Sequence, residues 1–161
     1  CCYAGMRYSD FTNLSKKNIV DINQETWLIY KSVKTGTEVR LPLYLLFAGK
    51  GIVILNKYRN NLEDFFRLRD NSNINKDLII IAKLAGLSKK ISFHTARHTN
   101  ATLLIYNGVN ITTVQKLLGH KSVKTTQVYT NIMDMTIVHD LEKIKQAALG
   151  IKKKTDNSFN K

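Results

Sequence analysis

Along this chain the apolar positions fall first into short runs of strand character and then into helical spacing. Ile19–Ile22, 27–32 and 39–41 are brief, rich in β-branched and aromatic residues, and bounded by turn residues, as short strands are. Lys34-Thr35-Gly36-Thr37 supplies the turn of the last hairpin, and Pro42 stops it. Ahead of the strands, residues 1–5 read as the end of a helix, and Ser9 reads as the cap of a short helix reaching about residue 14. Beyond them, 43–48 is predicted to return to helix. The stretch 49–75 has a weaker pattern, with a short helix over 62–68 and a polar turn at 70–73. Residues 76–85 form a helix that Gly86 stops, and 95–106 another that Asn107-Gly108 ends. Asn110 or Thr112 opens a further helix carrying Val114, Leu117 and Leu118, which Gly119 breaks, and Ser122 caps a last turn or two reaching Tyr129. A final helix over 133–149 places Ile137, Leu141, Ile144 and Ala148 on one side. There is no internal repeat. The predicted fold class is mainly α with a small antiparallel β-sheet.

Composition narrows the setting. At 161 residues, 43% hydrophobic and 23% charged, the chain has the makeup of one globular domain, read as 1–150, followed by a basic and disordered tail over 151–161. The net charge of +13 and isoelectric point near 9.8 favour a polyanionic partner, because each neutralised phosphate releases counterions. The apolar run 78–82 is far too short to span a bilayer, and no signal peptide is visible. Cys1 and Cys2 are adjacent, so a disulfide between them would close almost no loop, which fits a reducing compartment. The opening Cys-Cys-Tyr-Ala-Gly reads as mid-helix, and so as a domain excised from a longer protein.

Several side chains are candidates for chemistry. In His94-Thr95-Ala96-Arg97 the imidazole and guanidinium share a helix face, and at a helix start they would sit beside free N–H groups that favour an anion. His94 and His98 have the spacing of a zinc pair, but no glutamate lies between them and no third ligand is evident. Gly119 permits a tight turn that would push His120 outward, and Tyr129 follows nine residues later. Arg7 lies near a helix break with Asp10 three residues on, placed to fix its guanidinium, and Lys34 sits in the hairpin turn. Singly, these have ordinary explanations: a capping histidine, a local ion pair, a solubilising turn lysine, a half-buried tyrosine.

Taken together, Arg7, Lys34, His94, Arg97, His120 and Tyr129 occur in the order and context of tyrosine recombinases. Ser-Phe-His-Thr-Ala-Arg-His-Thr and Leu-Leu-Gly-His-Lys-Ser-Val-Lys-Thr-Thr-Gln-Val-Tyr, together with the hairpin Lys-Thr-Gly-Thr-Glu-Val-Arg-Leu-Pro-Leu, resemble that family's motifs. The wording is most similar to phage-type integrases of bacterial mobile elements such as conjugative transposons. The resemblance implies the catalytic-domain fold of DNA breaking-rejoining enzymes. It implies Tyr129 as a nucleophile forming a 3′-phosphotyrosyl link, and His94 as its acid–base partner. Arg7, Arg97 and His120 would hold the phosphate, Lys34 would be the general acid for the 5′-oxygen, and Asp10 would support Arg7. It further implies no metal, ATP or other cofactor, and a cytoplasmic, nucleoid-associated site of action in a bacterium. The partners implied are double-stranded DNA, a homo-tetramer on that DNA built from a domain that is monomeric alone, and accessory DNA-bending or directionality factors. The family's N-terminal core-binding domain is missing from these residues, so strong DNA binding by them alone is not expected. Two rival classes stand beside this one. A helix-turn-helix regulator built on 95–106 and 112–118 would need neither Tyr129 nor Arg7. A type IB topoisomerase-like enzyme would use related chemistry to relax supercoils. A recombinase without activity, kept as an interaction module, is a further alternative, although all six candidate residues are present.

Overall fold

A computed structural model describes residues 1–130 together with positions 141, 142, 144 and 145. The chain enters through a turn closed by Gly5 N–H donating to the Cys1 carbonyl (2.8 Å). Seven α-helices follow within residues 1–130: α1 (Tyr8–Thr12), α2 (Lys50–Lys57), α3 (Leu62–Phe66), α4 (Asn71–Leu84), α5 (Phe93–Tyr106), α6 (Ile111–Leu118) and α7 (Lys124–Gln127). Between α1 and α2 lies one antiparallel sheet in the order β1 (Ile19–Ile22), β2 (Glu25–Lys31), β3 (Glu38–Pro42). The predicted class, mainly helical with a small antiparallel sheet, is what the structure has.

The sheet presents one face to the core. Leu28, Tyr30, Val39 and Leu41 are buried while Lys31, Glu38 and Arg40 are exposed, the period of two expected of a half-buried strand pair. Leu28 lies opposite Leu41 and Tyr30 opposite Val39, so the hairpin buries cross-strand pairs. Beside it, Phe11 sits among Phe65, Phe66 and Phe93 with ring centroids 5.4–6.3 Å apart. This aromatic knot ties α1 to α3 and to the start of α5. The α6 side chains Val114 and Leu118 are fully buried, with α6 packed against β3.

Helix ends follow local chemistry. Asn110 caps α6 by accepting from Thr112 N–H at 2.9 Å. Ser122 Oγ accepts from Lys124 N–H at 3.2 Å at the start of α7. Ser92 caps α5, exchanging hydrogen bonds with Thr95 in the manner of a capping box (3.0 and 3.3 Å). That places the start of α5 two residues earlier than predicted and makes His94 its second residue. Gly119 ends α6 at φ +62°, and a Cβ there would lie 2.6 Å from Val39 Cγ2. Only glycine fits this junction of α6 with the sheet.

Other expectations change. Residues 1–5 form a turn and not the end of a helix, and Ser9 lies inside α1, whose N-cap is Arg7. The polar stretch 70–73 is not a free turn: Asp70 is the N-cap of α4, accepting from Asn73 N–H at 3.0 Å, so that helix begins at Asn71 and not at residue 76. Asx-rich sequences serve turns and caps by the same side-chain hydrogen bonds, which is why pattern alone misplaced the start. The predicted helix at 43–48 is also absent. A short 3₁₀ turn, Leu46–Gly49, stands there with Phe47, Ala48 and Gly49 at positive φ, and the helix is Lys50–Lys57. The run Leu43-Tyr-Leu-Leu-Phe-Ala has no polar face or capping residue. Leu43 and Leu46 enter the core while Tyr44 packs on Trp27 (6.1 Å). Of the final predicted helix over 133–149, most lies outside the described residues, as does the tail. Leu141 and Ile144 are described, helical and largely exposed.

Candidate active site

The side chains singled out in the sequence come from four places in the fold: the start of α1, the β2–β3 turn, the first turns of α5, and the segment from the end of α6 to just past α7. The structure brings them together around Arg97. This residue is 1% exposed, and its guanidinium faces three neutral groups. Nη1 donates to the Gly5 carbonyl at 2.6 Å, and Nη2 donates to the Leu118 carbonyl at 2.6 Å and to His120 Nε2 at 2.8 Å. Arg97 therefore staples the entry turn and the end of α6 to α5. A Cβ on Gly5 would lie 2.6 Å from Asn100 Oδ1, so the entry turn approaches α5 as closely as a glycine allows.

The Arg97 contact decides the state of His120. A guanidinium can only donate, so Nε2 of His120 accepts, and the imidazole proton lies on Nδ1, which donates to Thr126 Oγ1 at 2.9 Å. Gln115 donates to the His120 carbonyl at 3.0 Å and fixes its backbone. Burial, reinforced by the charges of Arg97, Arg7 and His94, pushes the His120 pKa down to about 4. His120 is thus a neutral acceptor in this arrangement. The hydrogen bond to a phosphate that the resemblance implies for it requires Arg97 to leave Nε2 and the proton to move there.

A stability consequence follows with a definite sign. Between pH 6.5 and 4 the unfolded chain binds a proton at His120 that the folded chain resists. This contribution to stability is therefore complete above about pH 6.5 and is lost as pH falls toward 4, by roughly 1–3 kcal/mol. His94 moves in the same direction, through burial first and then the charges of His98, Arg97, Arg7 and Lys34. Urea unfolding at pH 7 and pH 4.5 should show this loss, and His120→Gln should show a smaller one. Equal losses in the two proteins would exclude His120 as the source.

Arg7 is organised separately. Its Nη1 lies 3.4 Å from Asp10 Oδ2 and donates to Ser32 Oγ at 3.0 Å. Asp10, 1% exposed, also accepts from Ser32 Oγ (3.2 and 3.3 Å) and from Val33 N–H (2.8 Å). The carboxylate thus holds both the arginine and the base of the hairpin turn. Lys34 lies one residue further on, exposed, between Val33 and Thr35. Arg7, Lys34 and His94, with Ser9, Asn71, Asn75 and Ser92, line an open cleft of about 340 Å³. The first turn of α5 is held there by Phe93 N–H donating to Asn75 Oδ1 at 2.8 Å.

Tyr129 packs beside His98 and His120. It is 5% exposed, with its ring edge-on to His98 (centroids 5.2 Å) and parallel to His120 at 6.5 Å. His98 in turn packs edge-on against His94 at 4.5 Å. The sequence weighed His98 only as a metal ligand; its place is the bridge between His94 and Tyr129. Among the described residues no three His, Cys, Asp or Glu side chains gather as a ligand set. Ser32, Thr126 and Tyr30 were missed as well. The Tyr30 hydroxyl is buried without a hydrogen-bond partner among the described residues, and burial raises its pKa, with Asp10 adding to the effect. Nothing in the local pattern of a strand reveals which buried polar residue will meet a distant arginine.

Charge is unbalanced here. Burial lowers the Arg97 pKa, and the charge of Arg7 lowers it further. Among the described residues the one carboxylate hydrogen-bonded within the cluster is Asp10, which Arg7 already engages. The Arg7 guanidinium, Lys34 and the start of a fourteen-residue helix meet at the cleft, the charge of the buried Arg97 acts on Arg7 and His94, and a single carboxylate offsets them. Such a site attracts an anion, and it sits beside a tyrosine.

Comparison with known proteins agrees with this picture. The family model described as Phage integrase family matches residues 1–135. A tyrosine recombinase XerC of Rickettsia prowazekii is 30% identical over 159 residues, covering 93% of this chain and 49% of that protein. A tyrosine recombinase of Pseudothermotoga lettingae is 44% identical over 149 residues, covering 89% and 51%. The chain thus spans about half the length of these relatives. The crystal structure of a XerA recombinase superposes with a TM-score of 0.69 at 27% identity, covering 88% of this chain and 54% of that one. Among the described residues no helix is long and apolar enough to cross a membrane. The motifs around Arg7, Arg97 and Tyr129, the fold that gathers them and a family match over most of the sequence agree, and this chain belongs to the phage integrase family of tyrosine recombinases.

Proposed function

We propose that this chain is the catalytic domain of a site-specific DNA recombinase that cuts and rejoins strands through Tyr129. The observation that carries the reading is the convergence of Arg7, Lys34 and His94 on one cleft, with the buried Arg97 close enough for its charge to act on Arg7, His94 and Tyr129, and with Asp10 holding Arg7. In-line attack on a phosphodiester needs a nucleophile, stabilisation of charge on the non-bridging oxygens, and a proton for the departing oxygen. The Tyr129 oxygen attacks phosphorus as the bond to the 5′-oxygen breaks, leaving a 3′-phosphotyrosyl ester. A phenol with a pKa of about 10 needs help to lose its proton, which His94 supplies. Arg7 and Arg97 grip the non-bridging oxygens with planar forks suited to phosphate. Five N–H donors serve Arg97, and three are engaged with Gly5, Leu118 and His120, so Nε–H and one Nη1–H remain as separate donors, and a full fork opens to the ligand when Nη2 leaves His120. Lys34 gives a proton to the 5′-oxygen, and Asp10 keeps Arg7 in place.

The ester conserves the energy of the broken bond, so a new 5′-hydroxyl can rejoin without ATP or metal. The net charge of +13 supports double-stranded DNA as substrate. Residues 1–150 form the catalytic domain in this reading, and a second helical domain of the complete polypeptide closes around the duplex. The working unit is a tetramer on two duplexes in the cytoplasm, with accessory bending or directionality factors. The motif wording, and a fold shared with the Tn1549 transposon integrase (TM-score 0.59, 14% identity), favour integration or excision of a mobile element as its task.

The test is strand transfer by the complete polypeptide between two duplexes carrying its native junction sequence, with chelator present. Recombinant joints formed without metal or nucleotide are expected. Relaxation of supercoils with no joint would replace the proposal with a topoisomerase, and specific binding with neither product would leave a regulator.

A further inference from the structure

Lys34 stands between two fastened neighbours. On one side Val33 N–H and Ser32 Oγ both donate to Asp10, the carboxylate that holds Arg7. On the other, Thr35 Oγ1 donates to the Gly119 carbonyl at 3.0 Å. Gly119 joins α6 to His120, whose ring nitrogen meets Arg97. Within the turn, Gly36 N–H donates to the Ser32 carbonyl (2.8 Å) and Ser32 N–H to the Thr37 carbonyl (2.9 Å), so the loop has its own closed shape. The residue before Lys34 is thus tied to the Arg7 group and the residue after it to the Arg97 group. Lys34 itself makes no salt bridge among the described residues, and it lines the cleft with Arg7 and His94.

We infer that Thr35 is a positioning residue: its hydrogen bond to Gly119 holds the β2–β3 turn across the cleft, so that Lys34 is aimed at the departing 5′-oxygen. The inference rests on the proposed role of Lys34. A lysine on a free hairpin samples many positions. One whose two flanking residues are pinned to the groups that grip the phosphate is oriented before the substrate arrives, and its long stem covers the remaining distance. The contact is side chain to backbone across 84 residues of sequence. Its loss leaves both strands of the hairpin paired, so the fold does not depend on it.

The experiment uses the complete polypeptide and a nicked duplex that traps the covalent product, in two forms. One has the ordinary oxygen at the scissile 5′ bridge, the other a sulfur. As Tyr129 forms its bond to phosphorus, the bridging bond breaks. Oxygen leaves with a proton taken from the Lys34 ammonium, whereas sulfur leaves as a thiolate that needs none, since thiols ionise near pH 8.5. Thr35→Val should form the adduct roughly tenfold more slowly on the oxygen substrate, the loss of one hydrogen bond's worth of alignment. It should match the parent on the sulfur substrate, and Thr35→Ser should behave as the parent on both. Lys34→Ala, run alongside, reports on the underlying role: it should be slow with oxygen and restored with sulfur. If Lys34→Ala is not restored, the general-acid assignment falls, and the inference with it. If Lys34→Ala is restored but Thr35→Val is unimpaired, or is slowed equally on both substrates, the inference alone is overturned. A melting curve within two degrees or so of the parent accompanies each variant, and a collapse of Thr35→Val would contradict the stated independence of the fold from this contact.

Discussion

Tyr129→Phe should form no covalent DNA adduct at all, while binding DNA as tightly as the parent. The phenyl ring keeps its place: its environment is the edge of His98 and the face of His120, neither of which needs the hydroxyl. The residue is 5% exposed, so its packing is retained by a ring of the same shape, and the melting temperature should move little. What is removed is the oxygen proposed to attack phosphorus. The arginines proposed to meet the phosphate are held by Gly5, Leu118, Asp10 and Ser32, not by Tyr129, so affinity should survive. A gel of denatured complexes, read beside a binding isotherm at fixed salt, separates the two properties. Adduct formation by the phenylalanine variant would move the nucleophile elsewhere.

Changes at Arg97 divide into two effects that one substitution confuses. Arg97→Ala strips the carbonyls of Gly5 and Leu118 of their donor in a buried place, costing on the order of 3 kcal/mol or more. Activity lost in that variant would therefore mix instability with chemistry, and the sequence alone gave no warning that this arginine is also a staple. Arg97→Lys is the informative change. It keeps a charge but cannot span two carbonyls, His120 and a phosphate from one ammonium. It should fold with a lowered melting temperature and cleave about 10²–10³-fold more slowly, the usual effect of removing a transition-state donor. At temperatures where the lysine variant is fully folded, a cleavage rate near that of the parent would show that Arg97 is structural only.

The candidate site was legible because its residues lie on local signals. His94 and Arg97 are one helical turn apart behind a serine cap, and Gly119 marks the backbone break before His120. The hairpin that bears Lys34 is announced by alternation and by Gly36, and the strands fall within a residue or two of their predicted places. The errors arose where local signals have two meanings. Asp70 capped a helix where a polar turn was expected, and the apolar run at 43–48 packs as a kinked 3₁₀ turn instead of a helix. What the sequence did not disclose is connection at a distance: Ser32 between Arg7 and Asp10, Thr35 on Gly119, Thr126 on His120, His98 between His94 and Tyr129. Each joins elements that meet only through the tertiary fold. The orientation of His120 toward Arg97 belongs with them, since periodicity says nothing of a ring's tautomer.

The most direct test is to trap the complete polypeptide on a nicked duplex of its native junction, digest the complex, and identify by mass spectrometry the peptide that carries the nucleotide. The account predicts a phosphodiester link from the Tyr129 oxygen to the 3′ end of the cleaved strand, with a free 5′-hydroxyl on the released fragment. A link through any other residue, or a 5′-phosphoryl attachment, would contradict it.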